Sequence, residues 1–176
     1  MSVLPVRLYG DPILRRKAPP VKLPQQREEV SRLIADLFET MAASGGVGLA
    51  ANQAGSGLRV AVINIPPKEG PGMRAVLVNP AVVSGEGRQL GEEGCLSFPG
   101  LFLKVRRYER VKVRCLDQRG LPLEINAEGF FARALQHEID HLDGVVFTDR
   151  LSLLARLRLK PRLARLKKEW AARRRA

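Results

Sequence analysis

The sequence predicts a single-domain fold that mixes helices with strands. Apolar residues follow helical spacing over residues 26–43 and again over residues 128–142, and five strand-like runs lie between these two stretches. The chain has 176 residues, enough for one domain with a sizeable core, and neither an internal repeat nor a low-complexity linker divides it. We therefore expect the helices and strands to pack as one unit.

The chain begins with an irregular arm, which is followed by the first helix. Residues 1–24 contain five prolines and several arginines, a composition typical of irregular structure. Over residues 26–43 the apolar side chains recur so that one face is buried, and Ser44, Gly45 and Gly46 predict the end of the helix. The apolar positions are Val30, Leu33, Ile34, Leu37, Phe38 and Met41.

Residues 46–53, with the sequence Gly-Val-Gly-Leu-Ala-Ala-Asn-Gln, form the first motif. Gly and Ala carry little or no side chain, so the backbone here can come close to another group. A phosphate-binding loop is a poor match, because no Lys followed by Ser or Thr comes after the glycines. Taken alone, the stretch is typical of a tight loop between a helix and a strand.

Five strand-like runs follow, separated by Gly, Pro and Asp residues that mark turns. The runs cover residues 59–65, 74–83, 101–108, 110–116 and 121–125, and residues 117–120 have the composition of a hairpin loop. Cys115 alternates with Val111 and Val113 in one of these runs, so we expect its thiol to pack in the core.

Cys95 lies between two of the runs, in the stretch Gly-Glu-Glu-Gly-Cys-Leu-Ser-Phe-Pro at residues 91–99. Its neighbours are residues that interrupt a strand, which predicts a shaped loop. A lone cysteine is most often a small buried apolar residue. Here its thiolate is also the candidate third ligand of a metal site.

The second helix carries His137 and His141, the only histidines of the chain. Residues four apart lie on one face of a helix, so both imidazoles can bind one metal ion, and Glu138 beside them can handle the protons of a bound water. The alternative is a surface helix whose histidines fell at this spacing by chance. The helix also has a separate apolar row for the core, formed by Phe131, Leu135, Ile139 and Leu142.

The net charge of +12 is concentrated at one end of the chain. Residues 151–176 hold ten Lys and Arg against the single Glu169, a net charge of +9, which leaves +3 for residues 1–150. This basic tail predicts an anionic partner such as RNA or a membrane surface, unless it is only a charged helix that keeps the protein in solution. We expect helix on both sides of Pro161, with a break or a kink at that residue.

The sequence gives no sign of export. Residues 1–9 contain no apolar run long enough for a signal peptide, and no stretch approaches the length of a membrane span. Two cysteines do not make a disulfide framework. The simplest interpretation is a protein of the reducing cytoplasm.

Three motifs, taken together, resemble those of the peptide deformylase family. The family pattern is Gly-x-Gly-Leu-Ala-Ala-x-Gln, then Glu-Gly-Cys-Leu-Ser, then Gln-His-Glu-x-Asp-His-Leu-x-Gly. Residues 46–53, 93–97 and 136–144 match every specified position in that order. The opening at residues 9–15 and the strands are similar as well, so the resemblance spans nearly everything up to Arg150.

The resemblance implies an α+β fold, in which antiparallel β-sheets pack around a central metal-binding helix, with an N-terminal helix and a basic C-terminal helix. It implies a catalytic domain at residues 1–150 and a basic helical extension of that domain at residues 151–176. It also implies a hydrolase of protein biosynthesis that removes the N-formyl group from the N-terminal formyl-methionine of nascent polypeptides and releases formate.

In this family Cys95, His137 and His141 would hold the metal, with a water completing a roughly tetrahedral site. The usual ion of the family is Fe²⁺, and Ni²⁺, Co²⁺ or Zn²⁺ can substitute. Thiolate and imidazole suit several divalent ions, so the ligands alone do not choose among them.

The chemistry expected of such a site starts from a metal-bound hydroxide that attacks the formyl carbon. Glu138 would take the proton of the water and pass it to the leaving amine. By the resemblance, the side-chain amide of Gln53 and the backbone N–H of Leu96 would stabilise the tetrahedral oxyanion.

The resemblance also predicts the substrate-binding residues. The peptide backbone would lie in strand-like fashion along Gly46, Val47, Gly48 and the Gly94 region. The pocket for the methionine side chain would draw on the metal helix and both loops. Its candidate residues are Val47, Phe130, Arg133, Ala134 and His137.

Two positions depart from the family pattern. Arg133 stands where an apolar residue is usual, and we expect its stem to line the pocket while its guanidinium reaches water. Phe102 stands near the position of an Arg that helps to orient the substrate in many members. Arg106 and Arg107 are alternative candidates for that role.

Two other functions stay open at this point. A small zinc metallopeptidase shares the helical motif, although Cys95 argues against it, because those sites take a carboxylate or another His as third ligand. The second alternative is a catalytically inactive homologue that binds the ribosome. In some bacterial members a basic C-terminal helix docks on the ribosome near the exit tunnel, and residues 156–175 have the charge and position for that role.

Overall fold

The structure is a computed structural model that describes residues 2–23, 25–67 and 72–173. Within these residues the chain forms three α-helices and seven β-strands, the α+β composition expected for the family. The elements, in chain order, are α1 (Arg27–Ala43), β1 (Gly48–Ala50), β2 (Val60–Ile65), β3 (Met73–Glu86), β4 (Gln89–Gly94), β5 (Phe102–Arg107), β6 (Arg110–Leu116), β7 (Pro122–Glu128), α2 (Gly129–Leu142) and α3 (Leu153–Arg173).

The strands form two antiparallel sheets. The larger sheet has the order β1-β2-β3-β6-β7, and β4 pairs with β5 in a separate two-stranded sheet. Residues 117–120 connect β6 to β7, with Leu116 opposite Pro122, which confirms the predicted hairpin. Among the described residues, β1 and β4 each have a neighbour on one side, so each presents an open strand edge.

The large sheet separates two apolar cores, because successive side chains of a strand point to opposite faces. Val60 and Val62 of β2 pack in the core beneath α1, whereas Ala61 and Ile63 pack in the core around α2. Cys115 of β6 belongs to the α2 core, as its position in the strand predicted. The helix that carries the histidines is therefore packed inside the molecule.

The basic helix α3 packs against a third apolar cluster. Leu166 is buried there against Phe98, Leu101 and Phe147. Of the predicted break or kink at Pro161, the break is wrong, since α3 continues through this residue. Proline removes one backbone hydrogen bond, and apolar contacts that α3 makes after the proline hold the next turns in place. Residues 174–176 lie outside the described part of the chain.

The strands β1 and β4 were not predicted from the sequence. β1 has three residues and β4 is rich in Gly and Glu, so neither shows the alternation of apolar and polar residues by which strands are recognised. No helix of the described chain is long and apolar enough to cross a membrane.

Candidate metal centre

The centre is built on α2, which enters the interior directly from β7. Gly129, at the start of the helix, has a φ of 59°, a left-handed conformation that glycine adopts without strain. Every residue from Ala132 to Leu142 is buried. The side chain of Gln136 fixes the helix to the turn after β5, because it accepts from the Tyr108 N–H and donates to the Tyr108 carbonyl, both at 3.0 Å.

Cys95, His137 and His141 meet beside this helix. Cys95 directly follows the open-edged strand β4, and its Sγ lies 3.2 Å from Nε2 of His141. The ligand atoms of the three residues all lie within 4.8 Å of one another. One thiolate and two imidazoles are suitable ligands for a divalent transition-metal ion. The residues therefore fit the metal that the sequence predicted.

Glu93 orients one of these ligands and was missed as a site residue. Its Oε2 lies 3.0 Å from Nδ1 of His137, which leaves Nε2 of that ring for a metal. Arg107 donates to both oxygens of Glu93 at 2.9 Å. Burial favours the neutral acid, yet Arg107 and His137 hold the pKa of Glu93 well below its usual range. Its position two residues before Cys95 in the second motif was the available signal.

The two histidines differ in their affinity for protons. Burial disfavours a charged His137, but Cys95 and Glu93 beside it raise its pKa well above 6.5. Burial and the neighbouring His137 lower the pKa of His141 well below that value. Metal ligands must be deprotonated, so a metal ion that binds at this cluster would release protons.

Glu138 lies next to the cluster with its carboxyl group buried. The Oε2 atom has no hydrogen-bond partner among the described residues, and burial raises the pKa of this carboxyl to about 7. A group with such a pKa can both accept and give a proton at neutral pH. Gly48 allows its close approach, since a Cβ at that position would lie 2.3 Å from Oε1 of Glu138.

Gln53 reaches the same centre from the turn that follows β1. Its Oε1 accepts the Ala50 N–H at 3.0 Å, which fixes the orientation of the amide. Its Nε2 points to Cys95 Sγ at 3.4 Å and donates to Ser97 Oγ at 3.1 Å. The small residues of the first motif thus bring an amide donor to the candidate ligands.

A cavity of about 580 Å³ opens over the centre. All the predicted substrate-binding residues line it, and so do the side chains of Cys95, His137 and Glu138. The substrate-binding residues are Gly46, Val47, Gly48, Gly94, Phe130, Arg133 and Ala134. Leu96 and Gln53, the predicted oxyanion donors, lie on the same walls.

Both arginines considered for substrate orientation lie away from this cavity. Phe102 lines the cavity, whereas Arg106 and Arg107 are not among its described lining residues. Arg106 instead faces a separate cleft beside Lys17. Arg107 is buried between Glu93 and Asp140, and its guanidinium is occupied by these carboxylates.

The prediction that the Arg133 guanidinium reaches water was wrong. The residue is only 4% exposed. Its guanidinium turns inward and pairs with Glu93 at 2.7 Å. The physical reason is that the buried carboxylate and carbonyl groups of β4 and β5 offer it acceptors that water would otherwise supply.

Comparison with known proteins agrees with the geometry. The polypeptide deformylase family pattern matches residues 3–157. A peptide deformylase of Elusimicrobium minutum is 42% identical, over 97% of this chain and 100% of its own length. The crystal structure of a peptide deformylase from Legionella pneumophila has a TM-score of 0.84 at 42% identity, covering 97% of this chain and 98% of its own.

A second solved structure gives the same result. The peptide deformylase from Thermus thermophilus has a TM-score of 0.86 at 42% identity, covering 96% of this chain and 99% of its own. Sequence and fold thus match the same family over almost the whole length of both partners. The chain belongs to the peptide deformylase family, the metal-dependent hydrolases that remove the N-formyl group from nascent polypeptides.

Proposed function

We propose that Cys95, His137 and His141 bind the catalytic metal, with Fe²⁺ as the natural ion and Ni²⁺, Co²⁺ or Zn²⁺ as substitutes, and that Glu138 moves the protons of deformylation. The observation that carries this proposal is the position of Glu138: its carboxyl group is buried in the cavity wall beside the candidate ligands, and its Oε2 has no partner among residues 2–23, 25–67 and 72–173. When bound, the metal polarises the formyl carbonyl and lowers the pKa of a water from about 15.7 to about 7.

The protein supplies the proton transfers. Glu138 accepts the proton of the attacking water and gives it to the amine as the carbon–nitrogen bond breaks, so that formate and a free amino-terminal methionine are released. No described residue bonds its Oε2, which supports this role because no protein group competes for that oxygen.

Gln53 and Leu96 are the proposed donors to the oxyanion. The Gln53 amide is held by Ala50 and Ser97, so it is already oriented before the substrate arrives. Such preorganised donors typically contribute about 10²–10³ in turnover each. The backbone N–H of Leu96, directly after Cys95 in the chain, is the second proposed donor.

The substrate backbone is proposed to pair with the open strand edges beside the cavity. β1 contributes Gly48, and β4 ends at Gly94, so an extended peptide between them can add to a sheet edge. The methionine side chain would occupy the apolar part of the cavity, which is lined by Val47, Phe130, Ala134 and the carbon stem of Arg133.

The test is formate release from a formyl-Met tripeptide by protein purified without oxygen, with metal content assayed in parallel. We expect about one metal ion per chain and no cleavage of the peptide bonds, a result that also separates this activity from a metallopeptidase. Replacing Glu138→Ala should keep the metal and lower turnover by about 10²–10⁴. Near-normal turnover in that variant would rule out the proton-transfer role, and bound metal without formate in the parent would favour an inactive homologue.

We propose that the basic helix α3 contacts the ribosome. We also propose that residues 151–176 are an extension of a catalytic domain formed by residues 1–150. Arg158, Lys160 and Lys168 are exposed and can neutralise RNA phosphates. Nascent chains with formyl-methionine emerge from ribosomes, so we propose the cytoplasm as the working compartment.

Charge reversal tests this contact better than deletion, because α3 also covers part of the core. The triple variant Arg158→Glu, Lys160→Glu and Lys168→Glu should lose ribosome co-sedimentation at low salt and keep its turnover of short peptides. The matched control reverses three exposed charges elsewhere, Arg27→Glu, Arg32→Glu and Arg119→Glu. If both variants co-sediment equally, the helix only keeps the protein in solution.

A further inference from the structure

Arg133 has an environment that its place in a substrate pocket does not explain. Its carbon stem lines the cavity, but its guanidinium is buried among acceptors of the two-stranded sheet. Nη1 donates to Glu93 Oε1 at 2.7 Å and to the Val105 carbonyl at 3.0 Å. Nη1 also lies 3.2 Å from the Gly91 carbonyl, and Nη2 donates to Gln89 Oε1 at 3.1 Å. Both Nη atoms of the guanidinium are thus held by acceptors of the protein itself.

Glu93 connects Arg133 to the candidate metal ligands. One carboxylate oxygen, Oε1, receives Arg133 and the Nε of Arg107, and the other, Oε2, receives Nη2 of Arg107 and Nδ1 of His137. The carboxylate therefore has four donors that fix its plane. Arg133 is one hydrogen bond away from the group that sets the ring orientation of His137.

Gly91 in β4 has a backbone that leaves room for this arrangement. A Cβ at residue 91 would lie 2.9 Å from Nη2, 3.0 Å from Cζ and 3.2 Å from Nε of Arg133. Gly91 does not have a left-handed φ angle, so its backbone conformation does not require glycine. A glycine is needed here because the guanidinium of Arg133 lies where a side chain would be. The glycine at residue 91 of β4 thus makes room for the arginine at residue 133 of α2.

We propose that Arg133 is a positioning residue of the metal centre: it clamps Glu93, and through Glu93 it fixes the imidazole of His137. Gly91 is the second part of this clamp. The proposal rests on the metal-ligand assignment made above and deepens it. Partners behind the ligands typically change metal affinity or activity by about 10–100-fold when removed.

An ion pair that only stabilises the fold would also bury Arg133. The test therefore needs a measurement that does not change when only the stability of the fold changes. The Co²⁺-loaded protein provides one, because the visible absorption of the ion reports the geometry of its ligands. The half-life of the bound ion against a chelator provides a second. Both are measured below the unfolding temperature of each variant and do not depend on turnover.

The main variant is Arg133→Met, which keeps an unbranched stem in the cavity wall and removes the guanidinium. We expect an altered Co²⁺ absorption spectrum and metal loss about tenfold faster. This is the low end of the range of about 10–100-fold, because Arg107 still holds Glu93. Arg133→Lys retains a cation but not the planar fork, so it should recover part of the lost metal retention. Arg106→Met, an exposed arginine of β5 outside the cavity, is the matched control and should change neither readout.

Gly91→Ala approaches the same clamp from the opposite strand. The added methyl group should displace the guanidinium and reproduce the spectral change of Arg133→Met in a milder form. In the double variant the alanine should add nothing further, because the group it displaces is already gone. This variant also keeps the test decisive if Arg133→Met fails to fold.

Unchanged spectra and metal half-lives in both single variants would overturn the proposal, even if both unfold at lower temperature. Additive effects of the two substitutions in the double variant would do the same, because they would place the two residues in separate roles. Failure of the ligand assignment looks different: the parent protein itself would then give no thiolate-containing Co²⁺ spectrum.

Discussion

The carboxyl group of Glu138 is buried, and one of its oxygens has no hydrogen-bond partner within the part of the chain that the structure describes. Such a group destabilises the fold when it is ionised, because burial raises its pKa from 4.5 to about 7. A site arranged only for stability would not retain it. At the scale of the residue, this loss of folding free energy agrees with the proposed role of Glu138 as a proton carrier near neutral pH.

Because an ionised, buried Glu138 destabilises the fold, Glu138→Gln should raise the free energy of unfolding of the metal-free protein by an amount that depends on pH. Between pH 4.5 and about 7 the unfolded chain loses the proton of Glu138 while the folded chain keeps it, so the stability of the parent falls as pH rises through this window. The glutamine variant has no such proton. We expect it to be more stable by up to about 3 kcal/mol at pH 8 and by almost nothing near pH 4.5.

The measurement is urea unfolding of both proteins after metal removal with a chelator, at a series of pH values. A difference that is constant with pH would show that the carboxyl group is not the source. Metal-loaded samples serve as a second comparison, since the bound ion adds a positive charge near Glu138.

At the scale of the element, the centre depends on how closely β1 approaches α2. The two elements meet at Gly48 and Glu138, where a side chain on the strand would overlap the carboxyl group. The strand edge that is proposed to receive the substrate thus also packs against Glu138, the proposed proton carrier. A short strand without side chains at this point serves both purposes.

Gly48→Ala should therefore impair catalysis without removing the metal. The new Cβ would lie 2.3 Å from Oε1 and 2.9 Å from Cδ of Glu138, so the carboxyl group must move. We expect kcat/KM for a formyl-Met tripeptide to fall by at least about 10², the lower range for loss of a general acid–base. Gly57→Ala is the matched control, because nothing lies within 4 Å of the added carbon there.

Metal content is measured together with turnover in both variants. Loss of the ion from Gly48→Ala would point to disturbed ligands rather than to a displaced Glu138. Turnover within about threefold of the parent would mean that the position of this carboxyl group is not critical.

At the scale of the whole molecule, the basic helix α3 has two different faces. One face carries the exposed Arg and Lys residues, while Leu166 and Trp170 are buried against the body of the protein. The segment is recognised in the sequence by its positive charge, but it also packs against the body of the protein through its apolar residues. Removal of everything after Arg150 would uncover Phe98 and Phe147.

Leu166→Ala should destabilise the protein by about 2–5 kcal/mol, since it removes a buried side chain from the third apolar cluster. Leu154→Ala on the same helix should change the free energy of unfolding by less than about 0.5 kcal/mol, because Leu154 is 59% exposed. Urea unfolding of both variants at one metal content tests the pair. Equal effects would mean that α3 is not packed on the body as described.

The sequence could predict those features that depend on local patterns. The bounds of α1 and α2 were predicted to within one residue, because each has a clear apolar stripe at helical spacing. The Asp117 hairpin was predicted from its turn residues, and the family from three motifs. β1 and β4 were missed, since their regularity comes from partners that are distant in the chain.

By itself the sequence determined the fold class, the family and the residue types of the candidate site, because helical spacing and short motifs carry that information locally. The tertiary structure alone decided how Glu93, Arg107 and Arg133 meet behind His137, and that Gly48 faces Glu138. These residues lie on separate elements, and their contacts follow from strand register and from the packing of α2 on the sheets. Such contacts also decided that the Arg133 guanidinium is buried. A long cationic side chain reaches water unless buried acceptors from other elements surround it.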